Sequence, residues 1–190
     1  PFEVVNALDF NQIEHLVEVH KITDVYLMAA LLSATAEKNP AFAWDLNMNS
    51  LFHVLNLAKD GKITTLDVNE DLAYLPKKYF ESSEYASQID FKLQDAKEFL
   101  KETEEFFDLI FVDADKENYA EYFRLIKPHT KSGTVILFDN VLWYGKVLEE
   151  NPKLKSTQSI QELNDLAAKD EDFENLILPL RDGVNFLRRK

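Results

Sequence analysis

Phe111-Val-Asp-Ala-Asp-Lys-Glu-Asn-Tyr119 closes one short apolar run, and Phe138-Asp-Asn-Val-Leu-Trp-Tyr-Gly145 closes the next. The runs themselves, Asp108–Val112 and Thr134–Phe138, have strand length and are rich in β-branched and aromatic residues, and the stretch between them is amphipathic at helical spacing. Strand, helix, strand in that order is a βαβ unit with two parallel neighbours. The same alternation extends towards the N-terminus, where Ala41–Leu46, Lys62–Leu66 and Ile89–Leu93 read as strands with helices between them. Residues 1–40 read as helical instead. Ile13, Leu16, Val17 and His20 recur at helical spacing, and Tyr26–Ala36 is rich in Leu, Ala and Met before Asn39-Pro40 ends the pattern.

The C-terminal end departs from the rhythm. A polar stretch, Glu149–Thr157, leads into a helix through about Lys169. After it, Leu176–Leu180 and Val184–Arg188 flank Arg181-Asp-Gly183, a hairpin turn signal. The expectation is one α/β domain over residues 1–190, with an N-terminal helical segment (1–40) and an α/β core (41–190). Its seven-stranded, mostly parallel sheet ends in an antiparallel pair.

Composition narrows the function classes. The chain has 21 Lys+Arg against 34 Asp+Glu, a formal charge of −13, which disfavours a sequence-independent grip on phosphate backbones. Nucleic acid is not an expected partner. Without cysteine there are no disulfides, thiolate nucleophiles or Cys-ligated metals, and a reducing, cytoplasmic setting is compatible. No apolar run approaches the roughly 20 residues of a membrane helix, so no membrane association is expected.

In open α/β sheets ligands bind at the carboxyl ends of the strands. Here Asp108–Val112 runs into Asp113, and Thr134–Phe138 runs into Asp139-Asn140. If the two strands are neighbours, two carboxylates and an amide carbonyl converge, a set suited to a hard cation. Mg²⁺ is the first choice, with Ca²⁺ or Mn²⁺ as alternatives. Spacing alone equally describes Asp113 and Asp115 capping the next helix and Asp139-Asn140 making a turn. Asp67, at the end of the second strand, is placed to accept hydrogen bonds from a ribose diol, or to cap the segment near Asn69.

The two opening motifs, together with Asp60–Glu70, Ile89-Asp-Phe91, Gln158–Asn164 and Leu178–Gly183, resemble the cation-dependent O-methyltransferases of the caffeoyl-CoA and catechol type. The resemblance covers essentially everything after residue 60 and implies a Rossmann-like class I methyltransferase fold with helices on both sheet faces. It also implies S-adenosylmethionine as cofactor, a small catechol-like aromatic hydroxyl compound as methyl acceptor, and a homodimer. By the same resemblance Asp113, Asp139 and Asn140 are metal ligands, and Asp113 and Lys116 form the catalytic pair, with Lys116 as a base near the acceptor hydroxyl. Trp143 would line the acceptor pocket. Cofactor contacts would come from Asp67 (ribose), Asp95 and Ala96 (adenine), Asp113, and Tyr122 near the methionine end. For Lys116 and Trp143, position alone also allows a solvated lysine and a packing aromatic.

One segment departs from the family pattern. Where the family carries glycines after the first strand, this chain has Ala41-Phe-Ala-Trp-Asp-Leu-Asn-Met-Asn-Ser50, and no glycine precedes Gly61. Side chains there would compete with the methionine part of the cofactor for space. That motivates an alternative in which the protein is a catalytically impaired, methyltransferase-like scaffold. A dehydrogenase is disfavoured by the absent Gly-x-Gly-x-x-Gly, and a serine hydrolase by the absent Gly-x-Ser-x-Gly. His15, His20, His53 and His129 show no metal-binding spacing, so a satisfied histidine is the better reading of each.

Overall fold

The computed structural model describes residues 5–21, 61–71 and 73–190. The helix read over Tyr26–Ala36, the strand read at Ala41–Leu46 and the glycine-free segment Ala41–Ser50 lie outside these residues. The chain divides into two compact units, Pro1–Gln94 and Asp95–Lys190.

In the first unit, helix α1 (Phe10–His20) starts at Asp9, whose side chain accepts the Gln12 N–H, and stops at Lys21 in the left-handed conformation. Strands β1 (Ile63–Asp67) and β2 (Ile89–Leu93) pair in parallel, Ile63 opposite Ile89 and Asp67 opposite Leu93. Helix α2 (Tyr74–Glu81) lies between them in sequence, and its Phe80 ring packs 6.3 Å from that of Phe91. This is the βαβ unit read from the sequence. β1 begins one residue later than read and includes Asp67.

The second unit opens with α3 (Ala96–Glu102) and carries a four-stranded sheet. Its strands are β3 (Leu109–Val112), β4 (Val135–Asp139), β5 (Phe173–Leu178) and β6 (Val184–Arg189), in the order β3-β4-β6-β5. β3 and β4 are parallel, connected through α4 (Tyr119–Ile126), whereas β6 runs antiparallel to both β4 and β5. α5 (Lys155–Lys169) precedes the hairpin and ends where the sequence reading put it.

Val135, Ile136, Leu137 and Phe138 of β4 are all buried, the unbroken apolar pattern of a strand covered on both faces. Phe138 meets Tyr119 and Phe123 edge-on at 5.4 and 6.5 Å. Val135 and Leu137 form a separate cluster with Val184 and Phe186. β5 begins at Phe173, earlier than the expected Leu176, because Phe173 has its own place in the core, 5.8 Å from the Phe123 ring. The Arg181-Asp-Gly183 turn has φ of 52° at Arg181 and 84° at Gly183, as a tight hairpin requires. Among the described residues there are six strands, and they match six of the seven read from the sequence.

Candidate functional site

Because β3 and β4 are adjacent and in register, with Val112 opposite Phe138, the residues that follow them emerge side by side. The condition under which Asp113 and Asp139 converge is therefore met. Tyr119, wholly buried, ties the two strand ends together: its hydroxyl lies 3.1 Å from the Val112 carbonyl and 3.0 Å from that of Asp139. Lys116 Nζ donates to the same hydroxyl at 2.5 Å and to Asp113 Oδ1 at 2.7 Å, and lies 4.6 Å from the Tyr119 ring centre. The Lys116 side chain is only 12% exposed, so the reading as a solvated lysine does not hold.

Asp139 is partly buried, and burial pushes its carboxyl above the usual range. The Asn140 N–H, donating to Asp139 Oδ1 at 2.8 Å, works against that shift, while Asp113 and Asp182 add to it and Lys116 opposes it. Burial, with Asp113, Asp139 and Asp115 nearby, likewise drives the Tyr119 hydroxyl far above the ordinary phenol value, so it remains protonated. Asn140 sits in the left-handed region at φ 59°, which Asn tolerates better than most residues.

Neither Asp113 nor Asp115 makes a side-chain cap bond to the helix that follows, although Asp115 stands at the N-cap position of the short 3-10 turn Lys116–Asn118. Asp113 pairs with Lys116, and Asp115 accepts from the Tyr122 hydroxyl at 2.6 Å and from the Asn118 amide. Burial first, and then Asp115, raise the Tyr122 hydroxyl. Trp143 and Tyr144 both have positive φ, 48° and 55°. Their rings lie 5.9 Å apart, and Lys146 Nζ stands 5.9 Å from the Trp143 ring centre. Trp143 Nε1 is buried and has no hydrogen-bond partner among the described residues.

The remaining sequence-derived residues have local roles. Asp67 is exposed, and its Oδ1 accepts the Asn69 N–H at 2.9 Å. Asp95 is the N-cap of α3, accepting from the Lys97 and Glu98 backbone, and Ala96 is that helix's first residue. His129 is satisfied by the Leu100 carbonyl at 2.8 Å.

Three residues given no role from the sequence matter here. Tyr119 lies one helical turn after Lys116, the only signal that could have singled it out. Asp182 accepts the Tyr144 N–H at 2.6 Å, and its carbonyl accepts the Leu142 N–H at 2.8 Å. Asn185 is fully buried within β6. Among the described residues no group of three or more His, Asp or Glu side chains is arranged to hold a metal ion. The candidate set is two carboxylates and one amide. An open groove of about 740 Å³ runs along α5, lined in part by Val147, Gln161, Asn164 and Lys169, and includes none of the predicted site residues.

Parallel strands joined through a helix and ending in neighbouring aspartates are the architecture of open α/β proteins, in which ligands bind at the carboxyl ends of the strands. Comparison makes the class specific. The O-methyltransferase family matches residues 47–190, and the chain belongs to that family. Caffeoyl-CoA O-methyltransferase 1 of Arabidopsis thaliana is 36% identical over 147 residues, 71% of this chain and 57% of the relative. A probable caffeoyl-CoA O-methyltransferase of Dictyostelium discoideum is 28% identical over 75% of this chain and 64% of its own. The chain thus spans 57% and 64% of the length of these relatives.

Among solved structures, the SAH-bound methyltransferase PaMTH1 of Podospora anserina superposes with a TM-score of 0.63 at 25% identity, over 75% of this chain and 67% of that one. An O-methyltransferase of Bacillus cereus in complex with SAH gives 0.67 at 20% identity, covering 98% and 92%. The fold is that of the class I S-adenosylmethionine methyltransferases.

Proposed function

We propose that this protein is an S-adenosylmethionine-dependent O-methyltransferase that methylates a hydroxyl of a small catechol-like aromatic compound with the help of a divalent cation. The observation that carries the reading is the juxtaposition of Asp113, Lys116 and Asp139 at the ends of β3 and β4. The donor set fits a hard cation: every donor is oxygen, and after burial, which raises the Asp139 carboxyl most, Asp113 and Asp182 raise it further, a repulsion that a cation would relieve. Asp113, Asp139 and Asn140 would hold it, with Mg²⁺ the first candidate and Mn²⁺ or Ca²⁺ the others. When bound, the two groups supply the methyl donor and a lowered proton affinity for a phenol whose ordinary pKa is near 10.

The chain's own residues do the rest. Lys116 acts in this reading as the neutral amine, its two N–H groups donating to Asp113 and Tyr119 while its lone pair takes up the acceptor hydroxyl proton, and Trp143 lines the acceptor pocket. In the first unit Asp67 accepts hydrogen bonds from the ribose hydroxyls. An exposed carboxylate has about four lone-pair sites, so the bond from Asn69 is compatible with that role. In the second unit Asp95 and Ala96 contact the adenine, and Asp113 and Tyr122 take the methionine side. The reading treats residues 1–190 as one methyltransferase domain and places it in the cytoplasm. No helix among the described residues is long and apolar enough to cross a membrane.

Incubation with S-adenosylmethionine, Mg²⁺ and a catechol or caffeoyl-CoA, followed by mass spectrometry, is expected to show a monomethylated product that is lost on adding EDTA. Absence of product together with absence of calorimetric S-adenosylmethionine binding would favour the second reading, a catalytically impaired scaffold. The glycine-free segment Ala41–Ser50 motivates that reading, and turnover ends it.

A homodimer belongs to the main reading. Among the described residues nothing pairs with the outer edge of β5, where Leu176 is 57% exposed. The Lys190 N–H donates to the Asp172 carbonyl at 3.0 Å, so even-numbered residues turn their backbone groups to β6, while Asn175 and Ile177 turn theirs outward. Antiparallel pairing of Asn175 with Ile177 of a second copy sets Leu176 against its counterpart. Leu176→Lys is expected to give a monomer by size exclusion with light scattering, and an unchanged dimer would exclude this edge.

A further inference from the structure

Three asparagines from three separate elements form a chain of amides inside the second unit. The Asn175 amide of β5 donates to Asn185 Oδ1 of β6. Asn185 Nδ2 donates to Asn164 Oδ1 of α5 at 3.1 Å, and Asn164 Nδ2 donates to the Val141 carbonyl at 3.0 Å. Asn185 is 0% exposed in a strand that also buries Val184 and Leu187, a place where an amide is costly unless hydrogen-bonded. An apolar side chain would serve packing there equally well.

The chain has a fixed polarity. The Val141 carbonyl can only accept, so Asn164 must turn its NH₂ towards it and its oxygen towards Asn185. Asn185 must then donate to Asn164 and accept from Asn175. Reversing any one amide sets NH₂ against NH₂ or oxygen against oxygen.

The end of the chain lies beside Asn140. Val141 is itself 0% exposed. Its N–H donates to the Gly183 carbonyl at 3.0 Å, and the Leu142 N–H donates to the Asp182 carbonyl at 2.8 Å. Both peptide units of Val141 are thereby fixed, one from the β5–β6 hairpin alone and the other from the hairpin and the amide chain together. Asn140, in the left-handed conformation, shares a peptide bond with this anchored neighbour.

We infer that Asn175, Asn185 and Asn164 form a polarity-locked relay that positions the Asn140 donor through Val141. The inference rests on the cation reading of Asp113, Asp139 and Asn140. The three are positioning residues that touch neither cation nor substrate.

The test is Mn²⁺ binding by the whole chain, followed by electron paramagnetic resonance of free Mn²⁺, beside the thermal midpoint of the same samples. Loss of a group bonded directly to a metal ligand typically weakens affinity about 10-fold or more; Asn164 acts one residue further out, so Asn164→Ala should raise Kd about threefold or more, Asn185→Ala by less, and Asn175→Ala by under about twofold. Thermal midpoints should follow a different order, with Asn185→Ala lowest because that residue is the most buried. Should Asn185→Ala fail to fold, Asn164→Ala against Asn175→Ala decides the matter. Wild-type Mn²⁺ affinity in Asn164→Ala, or affinities that merely follow the thermal midpoints, would overturn the relay. A wild-type protein that takes up no Mn²⁺ at millimolar concentration overturns the cation reading, and the relay's role with it, a failure already visible without any variant.

Discussion

Asp139 shows what a single residue contributes. Its carboxyl is raised mainly by burial, so the folded chain binds a proton there more tightly than the unfolded chain, and the ionised form counts against folding at neutral pH. Asp139→Asn, which keeps an oxygen for the Asn140 N–H, is expected to raise the thermal midpoint in EDTA by a few degrees, on the order of 1 kcal/mol. The same variant should lose the stabilisation that Mg²⁺ gives the wild type. Differential scanning fluorimetry with and without Mg²⁺ checks both parts, and a variant that melts lower in EDTA contradicts the account.

Tyr119 offers a second test at this scale. Its hydroxyl serves Lys116 Nζ and two strand-end carbonyls inside the core. Tyr119→Phe leaves buried polar groups with one partner fewer, so urea denaturation should show a loss of about 1–3 kcal/mol. A change under about 0.5 kcal/mol, the size typical of surface substitutions, would mean that water replaces these bonds at no cost.

At the scale of elements, the β5–β6 hairpin carries more than sheet closure. Gly183 has φ of 84°, and a Cβ there would stand 2.4 Å from Leu142 Cγ, in the loop that follows the Asp139-Asn140 pair. Gly183→Ala is therefore strained twice, in its backbone and against Leu142, and a loss of about 2–4 kcal/mol is expected by chemical denaturation. Adding Leu142→Ala should recover the steric part and leave the backbone part, which a double-mutant cycle resolves. A fully additive pair would show that the contact is relieved elsewhere.

Which elements form was readable beforehand from periodicity: β2 and the end of α5 fall at the residues read from the sequence. The start of β5 was not. Phe173 follows an acidic stretch that looks like loop, and only its packing on Phe123 draws it into the sheet.

At the scale of the second unit, one cluster of charge joins the end of α4 to β5 and β6. Lys127, just after α4, bridges Asp170 at 2.6 Å and Asp172 at 2.9 Å ahead of β5, and Arg189 of β6 also reaches Asp172 at 2.9 Å. The Lys127 bond holds the Asp172 carboxyl below its usual range, and Asp170 first, then Asp172, raise the Lys127 ammonium. For Asp172 the folded value is the lower one, so its contribution is complete above the unfolded carboxylate value near 3.9 and is lost as pH falls through the folded value. For Lys127 the contribution is present below about 10.4 and is lost above it, as pH rises through the folded value. The difference in thermal midpoint between wild type and Lys127→Met should therefore be steady near neutrality and shrink as the solution is acidified below about pH 4. A difference that does not change with pH would assign it to packing of the lysine stem.

The sequence alone determined the alternation of strand and helix, the closing hairpin, and the placement of Asp113, Asp139 and Asn140 at strand ends. Each of these follows from local periodicity and turn chemistry, which neighbouring residues encode. Only the tertiary structure decided that Lys116 is gripped by Asp113 and Tyr119 and that Asp95 caps α3. It also decided that the Asn140 loop is anchored from Asn164, Asn185 and the Gly183 turn. Those contacts join residues far apart in the chain, and nothing local in composition or spacing selects one distant polar side chain over another. Burial does, because an amide or carboxylate withdrawn from water must find its partner in the fold.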